Sequence, residues 1–440
     1  MAEAAHPSPR GPVRLVELAV DSSPPILDGR GTQGPHTHAA VVVRLHGVIL
    51  GVVELPLGTR ADADQELVER ALTALREQID EHLRRDGLVP GSTAAPSGVP
   101  RCQRERARLL ERAPRATVIV ATRDGEATLR PCLESLFALD YPDFEVVVVD
   151  SASRGDGVRE LVSGFQRDHG AHMAYVRENR PGVALAHNRG LAHASGAIVA
   201  FTDDDVTVDR LWLAQIAHAF EEADDVCCVT GLILPAELES PAQRLIDGYW
   251  AYAKGFERRV FDGQRRPGEP LHPYTAGTFG SGANMAFRTD VLRALGGFDP
   301  ALGTGSPALG GDDLAAFFDV LEAGHRLVYE PTAAIWHRHR PDEESLRRQA
   351  YEYGVGLSAY LTKALIDQPR RMLEMSVRAP RALAYALSPR SAKNARRPEG
   401  FPAELVRLER RGMAMGALAY ARSRWQRRDL HAERALGAPR

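Results

Sequence analysis

The sequence predicts an α/β protein: a sheet covered by helices on both faces, preceded by a small α+β unit and followed by a basic helical extension. Three observations carry this reading. From Thr117 to Leu234, short Val- and Ile-rich runs alternate with amphipathic stretches of helical period, the pattern of a mainly parallel sheet buried on both sides. Before Gly87 the order is different, with three strand-like runs and then one helical segment. After Pro341, apolar residues recur at helical spacing among clustered arginines.

A chain of 440 residues accommodates about two or three domains, and at 44% apolar residues it can bury a large core. The net charge of −3 argues against bulk nucleic-acid binding. It is unevenly spread: residues 341–440 hold 20 Lys and Arg against 11 Asp and Glu, a local balance of +9. Cys102, Cys132, Cys227 and Cys228 form no CxxC pair and no metal spacing, and are expected to be free thiols in a reducing compartment. There is no leader pattern and no apolar run of about 18 residues, so the expectation is a cytoplasmic protein.

Residues 1–12 are Pro-rich and expected to be disordered. Val13–Val20 and Ala39–Leu45 read as strands, and His46-Gly47 as a tight turn into a third, Val48–Leu55. Ala63–Arg84 reads as one helix, closing a unit over 13–86 that is near the lower size limit for independent stability. His36-Thr37-His38 in a Gly/Pro loop reads as surface. A linker and a short charged helix, Arg101–Arg112, occupy 87–114. The main domain spans 115–344. Its strands are read at Thr117–Thr122, Glu145–Asp150, Met173–Arg177, Ala197–Phe201, Val226–Leu234 and Leu327–Glu330, and Ala333–Trp336 leads to His337-Arg338-His339-Arg340. Helices after Pro341, the last of them with breaks, make up 345–440. Their mix of Arg with Leu, Tyr and Met fits packing on the main domain, or a basic amphipathic surface on anionic lipid at the inner face of the membrane.

The chemistry gathers at strand ends. Ala197–Phe201 stops at Asp203-Asp204-Asp205, and in open α/β sheets ligands sit at the carboxyl ends of strands. Adjacent acids repel, and a fold that sets three together there commonly supplies a hard cation such as Mg²⁺ or Mn²⁺. An isolated acidic turn would be mere solvated surface, so the other strand ends matter. Thr122-Arg123-Asp124-Gly125 and Asp150-Ser151-Ala152-Ser153 converge on the same sheet edge. Asp312-Asp313, after Gly310-Gly311, opens a further helix; one Asp there is an ordinary N-cap, two exceed what capping requires. No GxGxxG follows the first strand, so a dinucleotide-binding reading lacks its phosphate loop.

In this order the segments resemble glycosyltransferase family 2, inverting nucleotide-sugar transferases of the GT-A fold. The likeness covers Thr117–His337, about half the chain. Val118-Ile119-Val120-Ala121-Thr122-Arg123 resembles the opening strand, and Val147-Val148-Val149-Asp150-Ser151-Ala152-Ser153 the nucleotide-recognition strand. Ala186-His187-Asn188-Arg189-Gly190 resembles the Ala-Arg-Asn-x-Gly helix. Phe201-Thr202-Asp203-Asp204-Asp205 resembles the D-x-D motif, Gly311-Asp312-Asp313 the Gly-Glu-Asp base segment, and Trp336-His337 the late His near the diphosphate.

The resemblance implies a Rossmann-like mixed sheet and a nucleotide-diphosphate-sugar donor held by Thr122, Arg123, Asp150, Ser153, His187, Asn188, Asp203 and Asp204. It implies Mg²⁺ or Mn²⁺ on Asp205, with Asp203 and His337, and a base at Asp313 with Asp312 meeting the acceptor. Gly282, Asn284 and Trp336 fall to the sugar pocket. Two departures stand out: His187 replaces the usual Arg, making any phosphate contact weaker or pH-dependent, and Asp312 replaces the usual Glu. The acceptor hydroxyl would be lipid-linked or on a glycan, as in cell-envelope polysaccharide synthesis. Three rivals remain. A nucleotidyltransferase would favour a Gly-rich basic loop after the first strand. A silent nucleotide-sugar-binding scaffold would not need both Asp205 and Asp313. A membrane-surface adaptor leaves the acidic sites unexplained.

Overall fold

A computed structural model describes residues 11–22, 25–30, 36–58, 63–91, 98–250, 253–264, 269–388, 391, 394 and 401–430. Residues 1–10 of the expected disordered segment lie outside these.

The first unit contains β1 (Val13–Ala19), β2 (Ile26–Arg30), β3 (His38–Leu45) and β4 (Val48–Pro56), in the order β2-β1-β3-β4. β2 was not legible: Ile-Leu-Asp-Gly-Arg is short and polar, and it holds its place by pairing antiparallel with β1. β1 and β3 run parallel. The expected single helix breaks at Leu75 into α1 (Ala63–Ala74) and α2 (Arg76–Arg85), and Leu67, Ala71, Leu75, Ile79 and Leu83 pack on the sheet. The other face of the sheet is partly covered by the main domain. Val42 and Ile49 pack on Leu232, Leu234 and Trp336 of the main domain, and Arg44 pairs with Asp209 at 2.7 Å. His36, expected at the surface, lies 3.2 Å from Glu239 with its side chain 3% exposed.

α3 (Arg101–Leu110) leads into the main domain. There follow β5 (Ala116–Thr122), α4 (Glu126–Phe137), β6 (Phe144–Ser151), α5 (Gly157–His169), β7 (Met173–Glu178), α6 (Val183–His193), β8 (Ile198–Asp203), β9 (Val206–Val208), α7 (Trp212–Glu221) and β10 (Val226–Pro235). Then come α8 (Pro241–Trp250), β11 (Arg259–Phe261), β12 (Asn284–Arg288), α9 (Thr289–Ala294), α10 (Asp312–Glu322) and β13 (Arg326–His337). The sheet order is β11-β13-β10-β12-β8-β5-β6-β7, with β9 added to β13. β5 to β8 form a parallel set; β12 lies antiparallel between β8 and β10, which makes the sheet mixed. Two apolar layers, one on each face, bury the Val and Ile runs completely. β13 is one strand of 12 residues that runs on past the expected Leu327–Glu330 through Trp336. Its register slips between Gly231 and Leu232 of β10, and that irregularity absorbs Pro331, which cannot donate to a ladder.

The carboxyl-terminal helices are α11 (Glu343–Asp367), α12 (Met372–Leu387) and α13 (Ala403–Gln426); α13 runs without the expected breaks. α11 and α13 cross in backbone contact, since a Cβ on Gly354 would lie 2.0 Å from the Glu409 carbonyl oxygen. Tyr360 and Tyr420 are buried in the main core, and the Tyr420 hydroxyl donates to Asp299 at 2.9 Å. These two helices therefore belong to the main domain's packing. α12 differs: it buries none of its residues. Among the described residues no helix is long and apolar enough to cross a membrane.

Candidate active site

Three elements bring acids to one place. β8 ends at Asp203, and its chain turns through Asp204 and Asp205 into β9. β9 pairs antiparallel with the end of β13, setting Val206 opposite His337, and the Asp205 carbonyl accepts from the Arg338 amide at 3.0 Å. The His337 Nε2 thus lies 3.4 Å from Asp205 Oδ1 and 4.0 Å from Asp203 Oδ2. Ligating atoms of Asp203, Asp205 and His337 fall within 4.8 Å of one another. The third element is α10. Its N-cap is Gly311 at φ 84°, so neither Asp is the cap and both stand in the first turn. A side chain at 311 would be strained, and its Cβ would meet the Gly356 carbonyl oxygen at 2.5 Å.

The two helix acids have different surroundings. Asp313 is half-buried; its Oδ2 accepts from the Gly282 amide at 2.9 Å and its Oδ1 from the Leu314 amide at 2.8 Å. Asp312, expected to meet the acceptor, is only 8% exposed and lies 3.7 Å from His187 Nδ1.

Burial and mutual repulsion load this cluster. Burial pushes Asp204 up to about 7, against the hydrogen bond donated by Thr122. Asp312 rises to about 7 from burial and then from Asp313 beside it. Burial raises Asp203 well above the usual range, and Asp205, Asp204, Asp312 and Asp313 add repulsion. Asp313 also rises by burial, restrained by the Leu314 and Gly282 amides. Burial lowers His337, with Asp205 opposing. Acids raised in the folded state stabilise it least when ionised. Their penalty is absent below about pH 4, the unfolded range, and grows as pH rises through about 7. The melting temperature of protein stripped of divalent ions is therefore expected to fall across that window, and Mn²⁺ to flatten the fall. A pH series of thermal melts with and without Mn²⁺ checks this; parallel curves would contradict the electrostatic account.

The other candidates divide into those at the cleft and those committed elsewhere. Thr122 is there, bonded to Asp204, and Arg123 is exposed beside it. Asp150 is fully buried: Oδ1 accepts from the Ser153 amide, and Oδ2 from Tyr175 and Arg177 at 2.7 and 2.8 Å. It holds the Ser153 loop, whose hydroxyl accepts from the Asp124 amide. A pocket of about 310 Å³, lined by Arg154, Asp156, Arg159, Tyr175 and Arg177, opens next to it.

Four assignments are corrected by geometry. His187 is sealed between Phe201 and Phe298, and burial drops it to about 3, so it is a neutral ring with no route to a phosphate. Asn188 spends its amide on Phe298, donating to the carbonyl and accepting from the amide at 2.8 Å each. Asn284 is fully buried, donating to Leu232 and Ala333 and accepting from the Trp212 indole. Trp336 faces the first unit, under Arg44, not the cleft. In each case the side chain points into packing.

Sequence reading missed one cluster. His46, His82, Asp86 and Cys102 meet at the edge of the first unit. The signal available was His82 and Asp86, four apart on one helical face.

Together the sheet order, the acidic end of β8 and the acid-bearing start of α10 define a GT-A fold. Residues 117–296 match the family model described as glycosyl transferase family 2. Among known relatives, a pre-mycofactocin glycosyltransferase of Mycobacterium tuberculosis is 30% identical over 244 residues, 54% of this chain and 46% of that protein. A glucosyl-dolichyl phosphate glucuronosyltransferase of Haloferax volcanii is 25% identical over 232 residues, 51% of this chain and 69% of that one. The match spans about half the length of the mycobacterial relative. Among solved structures, a mannosyltransferase from Pyrobaculum calidifontis, in complex with GDP-Man and Mn²⁺, aligns with TM-score 0.42 and 19% identity over 74% of this chain and 81% of its own.

Proposed function

We propose that this protein is an inverting, divalent-cation-dependent glycosyltransferase that moves a hexose from a nucleotide-diphosphate sugar to an acceptor hydroxyl. The observation that carries the reading is the convergence of Asp203, Asp205 and His337 opposite the Asp313 carboxylate. Two carboxylates and an imidazole in a repelling acidic cluster suit Mn²⁺, and Mg²⁺ less well because it prefers an all-oxygen octahedron. When bound, the ion supplies Lewis-acid neutralisation of the charge that develops on a departing diphosphate.

The rest falls to the protein. Asp204, oriented by Thr122, faces the donor side of the cleft, and Arg123 offers a cation at its rim. Asp313 takes the proton of the acceptor hydroxyl as that oxygen bonds to the anomeric carbon and the carbon–phosphate oxygen bond breaks. Two backbone amides fix both of its oxygens, so the carboxylate is aimed before substrate arrives. A single displacement from the opposite face inverts the anomeric centre and needs no second carboxylate as nucleophile. Asp312 supports this from beneath, packed on His187.

A thermal-shift panel of nucleotide sugars with and without Mn²⁺ tests the reading. A donor at 100 times its dissociation constant stabilises by about 2.7 kcal/mol. Release of nucleoside diphosphate on turnover separates an enzyme from a silent binder, and release of pyrophosphate would favour a nucleotidyltransferase.

The acceptor reading rests on α12. Leu373, Val377, Leu383 and Leu387 are exposed on it, with Arg370 and Arg381 exposed beside them. A cavity of about 540 Å³ opens against Leu373, Val377, Arg370 and Arg381. Apolar residues flanked by cations match an anionic membrane surface, which would put the cleft near a lipid-linked acceptor. Relatives named for dolichyl phosphate and undecaprenol substrates fit this placement. Removing residues 345–440 would strip Tyr360 and Tyr420 from the core, so truncation is the wrong test. Leu373→Glu with Val377→Glu, both on a helix with nothing buried, is expected to abolish flotation with anionic liposomes while leaving the melting temperature unchanged. Equal recovery of variant and wild type would sink the membrane reading.

A further inference from the structure

The cluster of His46, His82, Asp86 and Cys102 has no part in transfer and lies outside the acidic cleft. We infer that it is a structural zinc site that fastens the first unit to the helix entering the main domain.

The geometry is that of a closed four-ligand set. His46 Nδ1 and His82 Nε2 are 3.2 Å apart, and Cys102 Sγ is 3.7 Å from each. Asp86 Oδ2 lies 2.7 Å from His46 Nδ1, 3.3 Å from His82 Nε2 and 2.9 Å from Cys102 Sγ. Tetrahedral zinc with its usual bonds to sulfur and nitrogen gives N–N edges of about 3.3 Å and S–N edges of about 3.6 Å. Only the shortest Asp86 edges fall inside such a tetrahedron, and a small rotation of that carboxylate opens them. Hydrogen bonding alone accounts poorly for the arrangement: three donors crowd one oxygen that has two lone pairs, while Asp86 Oδ1 is already occupied by the Cys102 amide.

The ligand set selects the metal. One thiolate, two imidazoles and one carboxylate form a borderline-soft, four-coordinate set suited to zinc. Two neutral histidines, Asp⁻ and Cys⁻ balance Zn²⁺ to zero net charge, which suits a site whose His46 and Asp86 side chains are each 3% exposed. The thiol proton leaves to solvent on binding.

The backbone is bent to serve the cluster. His46 sits at φ 54° and Gly47 at φ 83°, the two central positions of the β3–β4 turn. Both positive φ values mark a type I′ hairpin, where Asn or Gly is the unstrained choice at the first position. The histidine there puts its ring into the cluster. The ligands come from a hairpin turn, the end of α2 and the start of α3; α2 packs on the sheet, whereas α3 contributes no residue to that apolar cluster. A unit this small is one that a metal staple stabilises.

Full-length protein purified without chelator is expected to hold one zinc per chain by elemental analysis. Asp205→Ala should retain it, and Cys102→Ala and His82→Ala should lose it. Cobalt exchanged into wild type should show a thiolate-to-metal charge-transfer band that Cys102→Ala lacks. A zinc chelator should lower the melting temperature of wild type and of Asp205→Ala alike. If the variants do not fold, the wild-type cobalt spectrum and chelator melts decide. Wild type without zinc, without that cobalt band, or with chelator-insensitive melting overturns the site.

Discussion

Asp313→Asn is expected to fold, to bind metal and donor as wild type does, and to lose transfer by about 10²–10⁴-fold. That range is what removal of a general base typically costs, about 3–5 kcal/mol of barrier. Asparagine is nearly isosteric and can still accept one amide hydrogen bond, from Gly282 or Leu314, so the helix start should survive. It cannot take a proton. The competing pressures on the acid are burial, which raises it, and the Leu314 and Gly282 amides, which hold it down. The helix N-terminus works with the amides. Asp313 is the more accessible acid of the pair, half-buried where Asp312 is only 8% exposed and pushed to about 7 by burial. Near wild-type transfer by Asp313→Asn, or a product of retained configuration by NMR, would overturn the mechanism.

Asp205→Ala is expected to remove the metal-dependent part of donor affinity. Asp205 is the acid nearest His337, so its loss leaves Asp203 and His337 4.0 Å apart with no third ligand. Outer-shell partners of metal sites are already worth about 10–100-fold, and a direct ligand should cost at least that. Calorimetry with Mn²⁺ and with EDTA reads it. Wild type should bind donor more weakly in EDTA, and the variant should bind it equally weakly in both. If wild type bound equally in the two buffers, the assignment of this cluster as the donor's cation site would fail.

Much of this was legible in the sequence. Continuous runs such as Val146–Val149 can only be satisfied by burial on both faces, so the main sheet declares itself. The acids at 203–205 and 312–313 are too costly to gather without a purpose, and adjacency in the chain makes them visible. Elements stabilised by partners rather than by their own composition were not legible. β2, β9 and β11 are short, and they exist because β1 or β13 offers them hydrogen bonds. Side-chain direction was not legible either. His187, Asn188, Asn284 and Trp336 stand where a motif predicts contact, yet each turns into packing.

By itself, then, the sequence determined the class of the main domain and the location of its acidic strand end. Both follow from local period and from charges close along the chain. The tertiary structure decided how deeply each of the two helix acids is buried, that α11 and α13 are core while α12 is not, and that His46, His82, Asp86 and Cys102 meet. The physical reason is the same for all three. Burial and ligand geometry depend on residues distant in the chain, and no local pattern records the contacts that bring them together.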